Sequence, residues 1–448
     1  MPLPTRILLG LLVGAALGAA ANVGFGPKSD AVVFLNTWIA GPVGQVFLRL
    51  MFMVVMPLVF ASIVLGVAGI GDLRRVGRLG GKTLAYFLAS TTVAGGLGLV
   101  LALVVAPGAA LHEAVRAELM ATYATDASGK VAAAKAGGVG IETFVAIVTR
   151  NPIKSAVDGD MLGVIFFALA FGAALTLIDK ERARALVDVL GGINDVMVKL
   201  VELAMRLAPV GVAMLIFGVT SRFGFALLRP LGLFAALVLG GLLLHATLLV
   251  LVVVRGLVGL SPALFLARVK TALVTAFSTS SSSATLPTNI AVAEDQLGVP
   301  AKIAGFVLPL GATMCMNGTA LFEGVTVLFL CQVFGVDLSV AQMALVVALT
   351  VITAVGAAGV PGGSIPLLVG VLAMFGVPGE GIAIVLGVDR ILDMARTTVN
   401  VLGDLTCVTL VAKSEGAWDP QHLPTLHAKP LDASPGWPAP DDVAPRGP

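Results

Sequence analysis

The chain has 448 residues, of which 58% are hydrophobic and only 12% are charged, and its mean hydropathy is +1.01. A soluble core does not need this much apolar surface, and repeated apolar spans of about 20 residues are typical of a protein that crosses the membrane many times. The formal net charge of +2 comes without basic clusters interleaved with aromatic residues, which argues against nucleic-acid binding. The composition therefore predicts an all-α polytopic membrane protein.

Eight apolar stretches are long enough to be transmembrane helices. They lie near residues 7–24, 43–70, 83–106, 141–177, 187–219, 224–257, 301–332 and 379–413. The first also fits a secretory signal peptide, but we expect a retained helix because everything downstream is membrane-embedded. Basic residues follow the even-numbered spans, so the positive-inside rule places both termini in the cytoplasm. These residues are Arg74, Arg75, Arg78 and Lys82, then Lys180, Arg182 and Arg184, and then Arg255, Arg268 and Lys270.

Two further apolar segments, about 260–293 and 339–375, are interrupted at their midpoints by turn-forming residues. The interruptions run from Ser278 to Pro287 (STSSSSATLP) and from Gly356 to Pro366 (GAAGVPGGSIP). The apolar flanks are too short to cross the membrane, so we expect two re-entrant helical hairpins. Non-helical backbone at membrane depth is tolerated only where it lines a cavity or is buried in protein. Paired interruptions also indicate an inverted-repeat transporter whose binding site lies at the breaks.

The last apolar span carries a stripe of polar side chains, namely Asp389, Asp393, Arg396, Asn400 and Asp404. At roughly 100° per residue on a helix, these side chains fall within an arc of about 80°. An ionisable group that faces lipid is costly, so the stripe must face protein or a water-filled cavity. Three acids against one base leave two carboxylates unmatched. This favours a binding site for a cation and a zwitterion over an ion-pair network that only holds helices together.

The helix between the two predicted hairpins, from Phe306 to Gly324 (FVLPLGATMCMNGTALFEG), contains residues that are unusual inside a transmembrane span. We expect Gly311, Gly318 and the small residues around them to break this helix. The backbone carbonyls freed by the break, together with nearby side-chain oxygens, are hard ligands that suit an alkali cation. Those side chains belong to Thr313, Asn317 and Thr319.

The charged residues of the last span indicate the kind of ligand. A guanidinium such as that of Arg396 binds a carboxylate through two parallel hydrogen bonds. Asp393 lies one turn away and suits an ammonium group. The implied ligand is a small zwitterion with an additional carboxylate.

Four motifs in this order, SSSSATLP, GATMCMNGTAL, GAAGVPGGS and DRILDMARTTVNVLGD, resemble the dicarboxylate/amino acid:cation symporter family, which has the glutamate-transporter fold. The resemblance covers about residues 5–415 and is densest from residue 275 onward. It implies eight transmembrane helices plus two re-entrant helical hairpins with inverted repeats. It also implies an elevator-type transporter rather than an enzyme, a homotrimer, and a location in the cell (inner) membrane.

The resemblance further implies a division into a scaffold and a mobile transport domain. The scaffold would contain residues 1–82, with spans 1 and 2, and residues 107–222, with a polar outer insert and spans 4 and 5. The transport domain would contain span 3 at residues 83–106 and residues 223–413, with both hairpins and spans 6 to 8. Residues 414–448 have too little apolar surface to fold, so we expect a disordered cytoplasmic tail.

For the substrate, L-aspartate or L-glutamate, the resemblance implies a set of binding residues. Ser282 would hold the main carboxylate, Arg396 with Thr319 the side-chain carboxylate, and Asp393 the amino group. The full set is Ser280, Ser282, Thr319, Val360, Gly362, Asp393, Arg396, Thr397 and Asn400. Sodium ions and/or protons would be the coupling ions, and no organic cofactor is expected.

The resemblance also implies sodium ligands, but the sequence departs from the family there. The candidate ligands are Tyr86, Ser90, Gly311, Thr313, Cys315, Asn317, Asn400 and Asp404. The family's usual Asn-Met-Asp-Gly-Thr motif is Cys-Met-Asn-Gly-Thr here, and Ala89 stands where the family commonly has Thr. Losing a carboxylate and two neutral ligands from one buried site should reduce cation affinity sharply. We therefore expect the inner sodium site to be weak or absent.

Glu323, one turn past this motif, lies where the resemblance places the proton-carrying acid of eukaryotic glutamate carriers. Because buried carboxylates can titrate near neutrality, protons would then replace at least one sodium ion. The alternative is a permanently hydrogen-bonded structural residue.

Three other functions stay open at this point. A C4-dicarboxylate:cation symporter is disfavoured by Asp393, because dicarboxylate carriers of the family lack an acid there. A substrate-gated channel or sensor would bind the same ligand without concentrating it. An intramembrane protease would need a base beside Ser282, or two aspartates that face each other from two helices, and neither is evident.

The cysteines and one histidine are interpreted as structural. Cys315, Cys331 and Cys407 lie in apolar stretches without metal-ligand spacing, so we expect no disulfide. His245 lies in the middle of a span and is expected to be packed and hydrogen-bonded.

Overall fold

The computed structural model describes residues 3–75, 77–109, 111, 148–158, 161–224, 228–357, 359, 361–421 and 423–424. Within these ranges the chain forms helices, turns and bends and no strand. The prediction of an all-α fold is confirmed. Most of the predicted outer insert and the tail from residue 425 lie outside the described residues.

The first half of the chain forms helices that lead up to the predicted hairpins. In chain order they are α1 (Leu3–Phe25), α2 (Asp30–Leu35), α3 (Gly41–Met53), α4 (Val55–Arg75), α5 (Arg78–Val105), α6 (Pro152–Asp158), α7 (Met161–Leu175), α8 (Lys180–Phe223) and α9 (Leu228–Leu248). A π-helical turn (Asn36–Ala40) joins α2 to α3, and a longer π-helical segment (Leu249–Val258) extends α9.

The second half alternates short and long helices. They are α10 (Pro262–Thr279), α11 (Ser282–Ala291), α12 (Ala301–Met314), α13 (Asn317–Val333), α14 (Val340–Gly356), α15 (Ile365–Met374) and α16 (Ala383–Ser414). We call α10 with α11 hairpin 1, and α14 with α15 hairpin 2. A π-helical turn (Val292–Gln296) follows α11, and a 3-10 turn (Gly379–Ile382) precedes α16.

Several helices begin at side chains that accept hydrogen bonds from otherwise unpaired backbone amides. The Ser29 hydroxyl accepts from the N–H of Val32 at the start of α2, and the Asp179 carboxylate accepts from Glu181 at the start of α8. Ser339 forms a reciprocal capping box with Gln342 at the start of α14. Between such ends, the helices consist mainly of apolar residues.

Six helical stretches of the described part are long and apolar enough to cross a membrane. They are Thr5–Phe25, Asp30–Ala68, Arg78–Val105, Glu181–Phe223, Arg229–Val258 and Ala301–Val333, and they coincide with six of the predicted spans. Of the other two predicted spans, one contains the 15-residue α7, and the last is α16 with its charged side chains. The chain is a multi-pass membrane protein.

The N-terminal helix packs closely along α8 through a row of small residues. Gly10 and Gly14 are four residues apart and share one face of α1. A Cβ atom on Gly10 would collide with the backbone of Pro209, and one on Gly14 with the backbone of Ala213. Small residues at this spacing let two membrane helices approach backbone to backbone.

Buried apolar side chains form two clusters that meet at α16. The larger cluster includes Phe47 and Phe322, together with Leu386 and Val399 of α16. The second lies around hairpin 1 and includes Leu405 and Val408 of α16, among others. The polar residues of α16 that lie between Val399 and Leu405 are therefore located where the two clusters meet.

The break in hairpin 1 is narrower than the predicted interruption from Ser278 to Pro287. Only Ser280 and Ser281 separate α10 from α11, and Pro287 lies inside α11. The Ser281 hydroxyl accepts a hydrogen bond from the N–H of Ala284 at 3.1 Å, so a cap lets the helix restart early. The break of hairpin 2, between Gly356 and Ile365, matches the predicted interruption.

The residues after α16 depart from the expectation of a disordered tail. We call Glu415–Pro424 the C-terminal strap; its described residues are 415–421 and 423–424. The Trp418 indole N–H donates to the carbonyl of Leu297 at 2.7 Å, and the Arg268 guanidinium donates to the carbonyl of Pro424 at 2.9 Å. The strap is poor in apolar residues. It is held in place by the buried indole of Trp418 and by these two hydrogen bonds to backbone carbonyls.

Candidate functional site

A small polar cavity lies where the tips of the two hairpins approach the break between α12 and α13 and the middle of α16. Its walls combine hydroxyl, amide and charged groups with backbone. The lining residues are Ser280, Ser282, Met316, Thr319, Ala357, Gly359, Gly363, Ser364, Asp393, Arg396, Thr397 and Asn400.

The cavity brings together most of the substrate residues expected from the sequence. Those that line it are Ser280, Ser282, Thr319, Asp393, Arg396, Thr397 and Asn400. Gly362 contributes its backbone N–H, which donates to the Asp393 carboxylate at 3.1 Å. Val360 lies outside the described residues.

A buried network of acids and bases forms one wall of the cavity. The Arg396 Nε donates to Asp393 Oδ1 at 2.9 Å, while its Nη1 lies 3.1 Å from Asp389 Oδ1 and its Nη2 lies 2.8 Å from Asp393 Oδ1. The two Nη atoms lack hydrogen-bond geometry toward these carboxylates, so their N–H groups remain available to a ligand. Only 2% of Arg396 is exposed, and its guanidinium lies 4.3 Å from the ring centre of Phe322.

The prediction of three acids against one base in α16 is wrong, because Arg390 is a second buried base. Its Nη1 lies 3.5 Å from Asp393 Oδ2. A long side chain can reach a residue three positions further along the helix even though Arg390 itself lies outside the predicted polar stripe. Asp389 and Asp393 are therefore matched by two arginines. Asp404 is separate, and both of its carboxylate oxygens are buried without a hydrogen-bond partner among the described residues.

The tips of the two hairpins contact each other and close one side of the cavity. The carbonyl of Gly359 in hairpin 2 accepts hydrogen bonds from the Ser281 hydroxyl at 2.6 Å and from the N–H of Ser283 at 3.1 Å. Together with the bond from Gly362 to Asp393, these contacts hold the tip of hairpin 2 over the cavity.

Helix N-termini and free hydroxyls make the cavity suitable for a carboxylate. Both α11 and α15 begin beside it, at Ser282 and Ile365, and helix N-termini present backbone N–H groups to anions. The hydroxyls of Ser280 and Ser364 are buried and have no hydrogen-bond partner among the described residues. A ligand oxygen would satisfy them.

The broken helix differs from the sequence prediction in the position of its break. Cys315 and Met316 separate α12 from α13, whereas Gly311 and Gly318 both lie within helices. A Cβ atom on Gly318 would collide with the backbone of Arg396, and one on Gly311 with the Asp404 carboxylate. These glycines permit close packing against α16 and do not break the helix.

Asn400 connects α16 to the start of α13. Its side-chain oxygen accepts from the N–H of Gly318 at 2.7 Å, and its amide nitrogen donates to the Thr319 hydroxyl at 3.3 Å. The residue thus orients Thr319 at the cavity wall while it caps α13.

The residues expected to form the inner sodium site are hydrogen-bonded to one another. Asn317 Oδ1 accepts from Ser90 at 3.2 Å and from Thr91 at 3.0 Å. The Tyr86 and Thr406 hydroxyls lie 2.6 Å apart. The oxygens that would bind a cation are thus engaged within the protein, whereas the Asn317 amide nitrogen, which is not a cation ligand, has no hydrogen-bond partner among the described residues.

The other candidate ion ligands differ in their surroundings. Thr313 is exposed, and its hydroxyl donates to its own helix at Leu310. Cys315 is buried and lies next to Gly403, where a Cβ atom would be 3.2 Å from the Cys315 sulfur. With its two free oxygens, Asp404 is the group in this region that most clearly calls for a cation or a proton.

Glu323 belongs to α13, and its fully buried side chain faces hairpin 2. Its Oε2 accepts a hydrogen bond from the Thr353 hydroxyl at 2.6 Å, and its Oε1 has no hydrogen-bond partner among the described residues. The carboxyl group is thus only half satisfied, which fits a proton carrier better than a fully bonded structural residue.

His245 and the cysteines complete the comparison with the sequence expectations. His245 is only 1% exposed, as expected for a packed residue. Neither ring nitrogen has a hydrogen-bond partner among the described residues, so the expected hydrogen bond is not found within that part of the chain. Cys315, Cys331 and Cys407 are buried free thiols, as predicted.

The comparison with known families agrees with this arrangement. Residues 3–414 match the model of the Sodium:dicarboxylate symporter family. The chain belongs to this family. The match includes every helix that surrounds the cavity, and it confirms the resemblance seen in the four sequence motifs.

Several curated relatives in this symporter family align with nearly the whole chain. The proton/glutamate-aspartate symporter of Escherichia coli (strain K12) is 37% identical over 414 residues, covering 92% of this chain and 93% of the relative. The proton/sodium-glutamate symport protein of Bacillus subtilis (strain 168) is 36% identical over 432 residues, or 95% of each chain. The C4-dicarboxylate transport protein of Bacillus subtilis (strain 168) is 32% identical over 383 residues, covering 84% of this chain and 88% of the relative.

The residues of this symporter-family site that sequence reasoning missed include Arg390, Thr91, Ser281, Gly359 and Ser364. Arg390 was recognisable as a second arginine next to the polar stripe, and Thr91 as the hydroxyl beside Ser90. Ser281 and Gly359 lie in the two motifs that predicted the hairpins, but no sequence signal shows that they bond to each other.

Proposed function

We propose that the protein is a secondary active symporter that takes up an acidic amino acid, L-aspartate or L-glutamate, together with protons and/or sodium ions. The observation that carries this proposal is the position of Asp393 and Arg396 at one cavity wall, with available N–H groups on Arg396. The ammonium group of such a substrate would bind Asp393, and a carboxylate of the same substrate would bind Arg396.

The remaining polar groups fit the main-chain carboxylate and the shell around it. Ser280 and Ser282 at the tip of hairpin 1 would hold this carboxylate, supported by the N-terminus of α11. Thr319 would bind the side-chain carboxylate together with Arg396, and Thr397 and Asn400 would complete the shell. Gly362 in hairpin 2 would close over the bound substrate.

Two observations support protons as coupling ions. The first is the half-satisfied carboxyl group of Glu323, and the second is the set of internal hydrogen bonds of Ser90, Thr91 and Asn317 in place of an inner sodium site. The names of the Escherichia coli and Bacillus subtilis glutamate relatives both include the proton, and the latter also includes sodium. Sodium, where it is used, would bind at Asp404 with Asn400 and the carbonyls around Cys315, or at Thr313 beside hairpin 2.

A C4-dicarboxylate:cation symporter is the second candidate, because C4-dicarboxylate transport proteins are among the relatives. A dicarboxylate has no ammonium group, so it would leave Asp393 facing a second negative charge. We therefore rank this function below amino-acid uptake.

We further propose the elevator arrangement, with a homotrimer in the cell inner membrane and both termini in the cytoplasm. The scaffold would be formed by α1–α4 and α6–α8, which pack on one another along α8 and α4. The transport domain would be formed by α5, α9, both hairpins, α12, α13 and α16, and hairpin 2 would be its gate.

The test is uptake of radiolabelled L-aspartate into proteoliposomes with proton and sodium gradients imposed separately. We expect concentrative uptake driven by a proton gradient in the absence of sodium. Uptake driven by sodium alone would contradict the ion assignment and leave the substrate assignment intact. Equilibration without concentration would indicate a channel, and uptake of succinate but not of aspartate would favour the second candidate.

A further inference from the structure

Arg390 is a buried charge for which the substrate assignments above give no role. Only 5% of the residue is exposed, its Nη1 lies 3.5 Å from Asp393 Oδ2, and its Nε is buried without a hydrogen-bond partner among the described residues. Burial of a charged group with unsatisfied donors is costly, so we expect this arginine to have a functional role.

The charges of the site indicate that role. Asp389 and Asp393 are both within ion-pair distance of Arg396, at 3.1 Å and 2.8 Å. An acidic amino acid has two carboxylates and one ammonium, so it has one net negative charge. It adds this charge to a site that already contains the two carboxylates of Asp389 and Asp393. Arg396 alone would then face an excess of two negative charges, and one guanidinium cannot offset them in a medium of low dielectric constant.

We propose that Arg390 is a specificity-determining residue that supplies the second positive charge needed to bind a net-negative substrate. When the substrate carboxylate draws on Arg396, Arg390 remains paired with Asp393. The inference rests on the proposed function, because it concerns how the same cavity accepts an acidic ligand.

The location of Arg390 supports this role. Gly387, three residues earlier and close to the same side of α16, packs against Ile216 of α8 and Leu11 of α1. Arg390 thus contributes charge to the network from the side of α16 that faces these helices, without occupying the cavity wall. It does not line the cavity, so a substitution there leaves the lining of the cavity intact.

The test is equilibrium binding to the purified full-length protein, with L-aspartate as the net-negative ligand and L-asparagine as the neutral ligand of similar shape. In Arg390→Gln the site gains one negative charge, so L-aspartate should bind about tenfold to a hundredfold more weakly, as expected for one lost charge at short range. Binding of L-asparagine should change by less than about threefold, because a ligand without net charge is insensitive to this difference.

A charge-restoring pair makes the test independent of packing. In Asp389→Asn combined with Arg390→Gln, the net charge of the site returns to that of the wild type. The affinity for L-aspartate should then recover to within a few-fold of the wild-type affinity, about tenfold higher than the affinity of Arg390→Gln alone. Arg390→Lys should also retain most of the affinity. The matched control is Arg268→Gln, which removes another buried arginine; Arg268 lies in hairpin 1, and its loss should leave the ratio of the two affinities unchanged.

The outcomes separate the two proposals. Wild-type protein that binds neither L-aspartate nor L-glutamate would overturn the proposed function itself. Wild-type protein that binds L-aspartate, with an Arg390→Gln variant that loses affinity for both ligands equally or for neither, would overturn only the role of Arg390. A double variant as weak as Arg390→Gln would also overturn it, because a packing defect does not respond to restored charge.

Discussion

The two hairpins look alike in the sequence but are held in different ways. Hairpin 1 is fixed at its base, where the strap residue Trp418 donates to the carbonyl of Leu297 and Arg268 bonds to the strap at Pro424. Hairpin 2 is held at its tip, through Gly359 and Gly362, by hydrogen bonds to hairpin 1 and to the Asp393 carboxylate in the cavity. A segment whose attachments are made by the binding site itself can respond to the ligand, whereas one attached at its base stays in place.

This difference supports the proposal that hairpin 2 is the gate. Its two helices also pack against α4, which belongs to the proposed scaffold, whereas hairpin 1 packs against α12 and α16. Opening hairpin 2 requires the loss of a few hydrogen bonds near the cavity, each of which contributes about 1 kcal/mol. Opening hairpin 1 would also require the strap to detach.

The largest effect is expected from Asp393→Ala. This substitution removes the acceptor for the N–H of Gly362, the proposed contact for the substrate ammonium, and the carboxylate that offsets two arginines. Uptake of L-aspartate should fall by more than about a hundredfold, because hydrogen bonds to charged groups contribute about 1.5–3 kcal/mol each. Proteoliposome uptake measures this, and an uptake rate within tenfold of the wild type would contradict the assignment of this residue.

A smaller loss is expected from Gly359→Ala, which tests the contact between the two tips. A Cβ atom at this position would lie 2.7 Å from the Ser283 hydroxyl and 2.8 Å from the carbonyl of Ala312, so hairpin 2 could not close fully. Crowding of this kind costs about 1–3 kcal/mol, which should weaken L-aspartate binding by about tenfold or more. Gly305→Ala is the matched control, because a Cβ atom there meets nothing within 4 Å. Equal affinities of the two variants would argue against closure at Gly359.

Trp418→Ala should separate stability from binding. The indole is 8% exposed, and its loss should destabilise the base of hairpin 1 by about 3 kcal/mol, the lower end of the range for a buried aromatic residue. Amide hydrogen exchange around Leu297 should accelerate, while L-aspartate affinity stays within about twofold of the wild type, since the proposed gate is hairpin 2. Trp38→Ala is the control, because that side chain is 70% exposed. A large change in affinity would show that hairpin 1 also moves during binding.

The smallest effect concerns Glu415, where the strap begins. Hydrogen bonds from Arg78 and then from Lys82 lower the pKa of this carboxyl group from 4.5 to about 2. A folded-state pKa below the unfolded value means that the contribution to stability is present above pH 4.5 and is lost as the pH falls through about 2. The contribution is small and sensitive to salt, because the Arg78 side chain is 73% exposed.

The measurement for this ion pair is the melting temperature of wild-type protein and Glu415→Gln as a function of pH. The difference between them should be small at neutral pH, should decrease with added salt, and should vanish at the acidic end. A difference that grows on acidification would have the wrong sign for a carboxylate with a lowered pKa.

The sequence could predict the helical class and the interruptions between α10 and α11 and between α14 and α15, because their signals are local. Apolar length identifies the spans, and serine or glycine-proline clusters in the middle of an apolar segment are tolerated at membrane depth only where the backbone lines a cavity or is buried in protein. The cavity-lining residues Asp393 and Arg396 followed from helical periodicity, which shows that they share one face of a helix.

What the sequence could not predict depends on contacts between distant residues. Gly318 resembled a helix breaker, but its role is set by the backbone of Arg396 packed against it. The balance of charge in α16 was miscounted because the reach of the Arg390 side chain to Asp393 is not visible in a stripe of Cα positions. Trp418 lies in a proline-rich polar segment, and its burial depends on a carbonyl more than a hundred residues earlier in the chain.

The most direct test of the central claim is a calorimetric comparison of L-aspartate and succinate binding to the purified wild-type protein. The two ligands share both carboxylates and differ in the amino group, so the comparison isolates the ammonium contact at Asp393. We expect L-aspartate to bind at least about tenfold more tightly, because one hydrogen bond between charged groups changes the affinity by about this factor. Equal binding, or tighter binding of succinate, would contradict the claim that Asp393 and Arg396 form a site for acidic amino acids.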